Sequence, residues 1–373
     1  MITAFELFYY SDRFRGRTLV LCLSPSVRLD TVIADLRLLE AAGLHAVSFC
    51  TSRSVAADDV STWNERGTSF SLLPLAALRR HARSMKDVLE AELAAERLPI
   101  VLWDGPPDEI RELRKLAVDA AHALRAAKVV LIGDAAGLKV ESKLRSHLSR
   151  EELQTIVDSG AQTNIAPGEL QNLLDLFRSC EVEIVVLDGT RGSVFEELFT
   201  HRGRGTLLTK SYPNEVRRGR LRDVTELSLV MRPHVASGAI LPMTESDIAV
   251  AIDSYFVFTI NSAIVAFARL LDYGEAVELG KFCTLPRFQG KGRARQLALV
   301  MIDEARKQGK RYVFALSREP RMWQFFEALN FIEVPREELP ESWKETYDFS
   351  RPSRAFRLSL EGAISQEVIL SKA

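Results

Sequence analysis

Long apolar runs are missing from this sequence. No stretch approaches the ~20 residues that a bilayer-spanning helix needs. The opening MITAFELFYYSDRFR places Glu6 and Asp12 where a secretion signal needs an unbroken apolar core. An excess of charge is missing too: 49 Lys and Arg against 50 Asp and Glu leave a formal charge of -1, which gives no footing to a dedicated nucleic-acid binder. Cysteine is scarce. Cys22, Cys50, Cys180 and Cys283 lie far apart with no C-x-x-C pair, so neither a disulfide framework nor a metal knuckle is indicated. No histidine follows His234, which argues against a Ser-His triad in the C-terminal part. Neither G-x-x-x-x-G-K-[ST] nor G-x-G-x-x-G occurs, nor any internal repeat. What remains is expected to be a cytoplasmic enzyme or sensor without a membrane partner. Its 373 residues, 47% hydrophobic, suit two globular domains at ~150 residues each.

The N-terminal half alternates short apolar runs with helix-length segments. TLVLCL, HAVSF, LPIVLW, KVVLI and EIVVL read as strands, and LDTVIADLRLLEAAG and the stretch from Asp108 to Ala126 read as helices. That alternation predicts a parallel sheet covered on both faces. The polar, charged stretch TKSYPNEVRRGRLR, containing Pro213, reads as a linker over 209–222, between domains at 1–208 and 223–373. Beyond it, YFVFTI and AIVAFARLL flank Asn261-Ser262 as an antiparallel hairpin, and EAVELGKFCTL follows as a third strand that ends at Pro286.

The strongest chemical signal is RFQGKGRARQLALVMIDEARKQGKRYVFALS. Gln289, Gly290, Gly292 and Ala294 fall between a strand end and a helix whose apolar face is Ala294, Leu297, Ala298, Met301, Ile302 and Ala305. Small residues let backbone N–H groups approach an anion, and the helix start adds about half a positive charge at the same spot. Lys291, Arg293 and Arg295 add more, so the segment reads as a pyrophosphate cradle.

The order Q-x-x-G-x-A, opening a helix after a hairpin and a central strand, resembles the coenzyme A loop of the GNAT acetyltransferase superfamily. YVFALS then stands where that family's strand splays to admit the pantetheine arm, and MWQFFEALNF matches its next helix. ELFTHRGRGTLL, VRRGRLRDVTELSLVMRP and ALSREPRMWQFFEALNFIEVPREELPESWKETYDFSRPSRAF together resemble bacterial N-acetylglutamate synthase. The likeness is weakest over residues 44–95. It implies an α/β chain, an amino-acid-kinase-like parallel-sheet sandwich followed by a GNAT α+β acetyltransferase domain. It also implies acetyl transfer from acetyl-CoA to the α-amino group of L-glutamate, the first step of arginine biosynthesis, without a metal and in a homo-oligomer.

The kinase outline lacks a kinase site. CLSPSV and FCTSRS replace glycine-rich phosphate loops, Gly168 of NIAPGEL stands at the nucleotide-lysine position, and GDAAGL keeps only an outline. In ELFTHRGRGT, Glu197 and Gly203 match residues that bind effector L-arginine in arginine-sensitive members. Alternatively, Glu196 and Glu197 form a solvated helix face and the glycines a turn. By the same resemblance Glu278 is the base that deprotonates the acceptor ammonium. Ser317 matches the proton donor to the departing thiolate, although a serine at a strand end also serves as a helix cap. The backbone of Phe282, Cys283, Thr284 and Leu285 is expected to polarise the thioester carbonyl. Gln289, Gly290, Lys291, Gly292, Arg293 and Ala294 are expected to hold the cofactor. Lys281 and Arg351 are expected to grip the acceptor, or else to be ordinary surface charges. One departure stands out: SGAILPMTE carries Pro242, Met243 and Thr244 where the bacterial pattern has arginines. Acetylation of a different amino acid or amine, and a non-enzymatic coenzyme A sensor, therefore stay open.

Overall fold

The structure is a computed structural model that describes residues 7, 10–12, 14–55, 57–65, 69–80, 84–106, 110–200, 203–210, 215–260 and 263–361. The Asn261-Ser262 turn and Asp108 lie outside these. The chain divides into two compact units, Met1–Ser211 and Tyr212–Ala373.

In the first unit the apolar runs become β1 (Thr18–Leu23), β2 (His45–Thr51), β3 (Phe70–Pro74), β4 (Leu98–Trp103) and β5 (Lys128–Gly133). The short strands β6 (Lys139–Val140), β7 (Lys143–Leu144) and β8 (His147–Leu148) precede β9 (Glu183–Asp188) and β10 (Thr206–Leu208). The large sheet runs β3-β4-β2-β1-β5-β9-β10-β8. It is parallel from β3 through β9, and β10 pairs antiparallel to β9. Its central strands are apolar on both sides because helices cover both faces. α1 (Ile33–Ala41) buries Leu36 and Leu39 on one face. α2 (Ile110–Ala123) and α3 (Pro167–Ser179) bury Leu113, Ala117, Leu173 and Phe177 on the other. α4 (Ser193–Phe199) returns to the first face with Val194 and Leu198.

The second unit holds a sheet of β11 (Glu215–Arg218), β12 (Tyr255–Ile260), β13 (Ala263–Tyr273), β14 (Ala276–Thr284), β15 (Tyr312–Ser317), β16 (Ile332–Val334) and β17 (Arg354–Ser359). Their order is β11-β12-β13-β14-β15-β17-β16, antiparallel except at β14–β15. α5 (Val224–Ala236) and α6 (Glu245–Val250) pack on one face around Tyr255, Phe267 and Cys283. α7 (Arg293–Lys307) and α8 (Pro320–Glu327) cover the other. The stretch 209–222 is thus not simply a linker. Glu215–Arg218 is an edge strand paired with β12, and Arg217 is bound to Asp223 at 2.6 and 3.1 Å. Its charges read as solvated because on an edge strand only Val216 meets the core. Among the described residues, no helix is long and apolar enough to cross a membrane.

Candidate active site

β14 and β15 pair only through Ala276, Val277 and Glu278, which face Tyr312, Val313 and Phe314. Beyond Glu278 the strands part, and Ala315 to Ser317 pair only with β17 on their other side. Glu278 therefore sits at the fork of an opening in the sheet. The opening is reinforced by a bulge: between β13 and β14 the register moves from Phe267–Cys283 to Arg269–Gly280, leaving one extra residue on β14. Lys281 takes up the extra residue with φ of 51°, a left-handed backbone that is costly for a side chain bearing Cβ. The bulge falls just past the point where β14 parts from β15, and pairing with β13 resumes beyond it at Cys283 and Thr284.

Burial pushes the Glu278 carboxyl up to about 7, against which Arg269, a Tyr273 hydrogen bond and Lys281 act. The Tyr273 hydroxyl donates to this carboxylate and is itself pushed up to about 12, first by burial and then by the Glu278 charge. Burial, together with the neighbouring Arg269 and Arg351 charges, draws the Lys281 ammonium down. Arg351 stands in the turn before β17, where the Arg336 guanidinium donates to its carbonyl at 2.8 Å. Glu278 and Lys281 thus stand close together, and the Arg351 charge is near enough to act on Lys281. Arg269 and Tyr273 belong to the same cluster and were missed. Their signal was present: Arg269 interrupts the apolar strand AIVAFARLL and lies opposite Gly280, two residues from Glu278.

The cradle residues gather at the start of α7. Gly290 and Gly292 have φ of 74° and 72°, and a Cβ on either would meet no atom within 4 Å, so open space lies above the turn. The first bond into the helix runs from the Gln296 N–H to the Gly292 carbonyl, which leaves the N–H groups of the opening turn without intrahelical acceptors. Leu297, Ala298, Met301, Ile302 and Ala305 are buried and fix the helix to the sheet, at ~1.5–3 kcal/mol for each large side chain. Ala294 is half-buried beside them. Gln289 braces the loop by donating to the Thr284 carbonyl at 3.1 Å. Two expectations change. The Arg293 side chain turns inward over Phe258 and Phe288 and donates to the Phe288 carbonyl at 3.0 Å, so it adds backbone but no outward charge to the cradle. Arg295 reaches the Ala328 carbonyl instead of the turn.

The strand backbone is also partly committed. The Leu285 N–H donates to the Val265 carbonyl at 2.9 Å, and the Thr284 N–H reaches His234 Nε2 at 3.2 Å. The expected polarising set of Phe282 to Leu285 thereby narrows toward Phe282, beside the bulge. The Phe282 ring packs on Phe325 and Phe326, and Cys283 is buried with its thiol pushed well up by desolvation. Ser317 accepts from the Glu319 N–H at 3.1 Å, the turn-forming role; its hydroxyl proton is not consumed by that bond. His234 is engaged with Thr284 rather than with Ser317.

In the first unit, a cleft of ≈ 660 Å³ at the carboxyl end of β1 is lined by Ser24, Arg114, Lys115, Glu169 and Asp175. Arg114 is paired with Glu169 at 2.8 Å, so this cation is not free for phosphates. The Ser26 hydroxyl, in the loop CLSPSV, donates to Asp134 at 3.0 Å, filling a phosphate-loop position with a carboxylate. Glu197 is buried, and its Oε2 accepts from the Arg204 and Gly205 N–H groups at 2.7 and 2.9 Å. It anchors the turn from Gly203 into β10, where a Cβ at Gly205 would come within 2.1 Å of the Val186 carbonyl.

The acetyltransferase (GNAT) family model matches residues 227–331. The amino-acid acetyltransferase of Salmonella typhi is 24% identical over 66% of this chain and 57% of its own length. That of Pseudomonas aeruginosa is 26% identical over 69% of this chain and 60% of its own. The chain thus spans somewhat more than half the length of these curated relatives. A solved N-acetylglutamate synthase from Neisseria gonorrhoeae, complexed with coenzyme A and L-arginine, covers 96% of this chain and 98% of its own with a TM-score of 0.59 at 19% identity. That likeness carries the fold of both units. Residues 227–331 match the acetyltransferase (GNAT) family, in a chain whose α/β fold is like that of N-acetylglutamate synthase.

Proposed function

We propose that the second unit transfers the acetyl group of acetyl-CoA to the α-amino group of L-glutamate, giving N-acetyl-L-glutamate and coenzyme A, the reaction that opens arginine biosynthesis. The observation that carries this reading is Glu278 at the fork of β14 and β15, with unpaired cations on one side and the cradle of α7 on the same strand's continuation. The names of the relatives, amino-acid acetyltransferases, support the same class. The cradle fits acetyl-CoA by its positive-φ glycines, open space and helix start; acetyl-CoA supplies an activated acyl carbon on a thiol leaving group. Gly290, Lys291, Gly292 and the Ala294 N–H hold the pyrophosphate, and the Phe282 N–H faces the thioester oxygen. Glu278 takes the ammonium proton, directly or through water. A carboxylate raised to about 7 is a better match for an amine than an ordinary one, while still half ionised at neutral pH. Ser317 offers its hydroxyl proton to the thiolate. Arg351 holds the acceptor's α-carboxylate by charge-assisted hydrogen bonds. Thiol release from acetyl-CoA against a panel of amino acids tests the proposal. Glutamate should stand out; release with amines but no amino acid would refute it.

A further inference from the structure

Arg269 and Lys281 stand close enough to the Glu278 carboxyl to act on its charge, and Arg351 stands close enough to act on Lys281. None of the three makes an ion pair with another described residue. Arg269 spends its Nε–H on the Ser254 hydroxyl at 2.9 Å and lies 5.6 Å from the centre of the Tyr255 ring. Its two terminal nitrogens have no acceptor among the described residues. The Lys281 ammonium has one distant partner, the Leu241 carbonyl at 3.4 Å. Asp348, close enough to feel Arg351, is bonded to the Ser350 N–H and hydroxyl at 3.0 and 2.6 Å. Asp348 offsets Arg351 in part, whereas Arg269 and Lys281 are two cations facing the single carboxyl of Glu278. The α-carboxylate of an amino acid meets Arg351, and only a second, distal carboxylate answers the excess at Arg269 and Lys281.

The positions sort the roles. Arg351 comes from the loop before β17, while Arg269 comes from β13 on the far side of Glu278, opposite Gly280, where no side chain blocks it. The segment between α5 and α6 adds no cation here. Met243 accepts from the Tyr255 hydroxyl at 3.4 Å, and Thr244 caps α6 through Asp247. We infer that Arg269 is a specificity-determining residue of the acceptor site, donating its two terminal NH₂ groups to the distal carboxylate of an acidic amino acid. Tyr255 and Ser254 hold the guanidinium in place, so the planar fork is presented to a planar carboxylate. Lys281 stands between the two carboxylate positions.

This inference rests on the proposed amino-acid acetylation and deepens it. The test measures kcat/KM for L-glutamate and L-glutamine in the wild type, Arg269→Gln and Arg269→Lys, with the KM of acetyl-CoA as the internal control. Arg269→Gln should lower kcat/KM for glutamate on the order of 10- to 10²-fold more than for glutamine, the worth of hydrogen bonds to a charged group, while any loss from the Glu278 carboxyl moving further up without Arg269 falls on both amino acids alike. Arg269→Lys should restore part of the glutamate activity, and the acetyl-CoA KM should stay put. An unchanged glutamate-to-glutamine ratio would overturn the assignment while the acetylation reading stands. A wild type that acetylates neither would remove both. Should Arg269→Gln misfold, calorimetric titration of L-glutamate and L-glutamine into Arg269→Lys decides. A weaker hold on glutamate alone supports the role, and equal affinity changes refute it.

Discussion

Replacing Glu278 with Gln should trade activity for stability, and the stability change should depend on pH in a definite direction. The group is held at about 7 in the folded chain against an ordinary 4.5, chiefly by desolvation. Between those values the folded state binds the proton that the unfolded state has released. Stability contributed by this group is therefore full below pH 4.5 and lost as pH rises through 7. At 1.36 kcal/mol per pH unit the gap is worth about 3 kcal/mol, and water reaching the half-buried carboxylate lowers this to about 1–2 kcal/mol. Glu278→Gln titrates nothing. Its melting temperature relative to the wild type should rise by several degrees between pH 4.5 and pH 8, taking a few degrees per kcal/mol for a unit of this size. At the same time kcat should fall 10²- to 10⁴-fold, with partial recovery at high pH where more acceptor is already an amine. Differential scanning fluorimetry of both proteins at the two pH values, beside a thiol-release assay, reads both effects. A melting difference independent of pH would show that Glu278 titrates normally and that its burial does not set its basicity. Near-normal kcat would show that it is not the base.

The other sites make separate demands. Gly292→Glu forces a side chain onto a backbone at φ 72° and sends its carboxylate into the open space over the α7 start, so acetyl-CoA binding by calorimetry should vanish while the fold persists; unchanged affinity would remove the cradle. Arg351→Ala should raise the glutamate KM with little effect on the acetyl-CoA KM, because its contact is made in ground and transition states alike; the opposite split would place its side chain toward the cofactor. ATP should neither bind nor be hydrolysed by the full chain, since Arg114 is tied to Glu169 and Asp134 faces the loop after β1; micromolar ATP affinity would contradict a phosphate-poor cleft.

Strands and helices were legible where burial is simple. TLVLCL, LPIVLW and EIVVL are apolar on both faces because helices cover their sheet twice, and the α7 stripe shows its face by period alone. Less legible was anything set by register. Arg269 reads as one charge in an apolar run until pairing with Gly280 places it beside Glu278. The same holds for β11, whose charges suit a linker until β12 supplies its partner. The inward turn of Arg293 follows from Phe258 and Phe288, residues distant or unremarkable in the sequence. Lys281 shows the converse: a residue picked out by the family resemblance owes its position to a bulge that no local pattern announces.

The most direct test is product identification. Incubating the protein with acetyl-CoA and ¹⁵N-labelled L-glutamate, then following the product by mass spectrometry and NMR, should give N-acetyl-L-glutamate labelled at the amide nitrogen. It should appear one for one with free thiol, and almost none should form with Glu278→Gln. Thiol release without labelled amide, or the same amide yield from Glu278→Gln, would contradict the account.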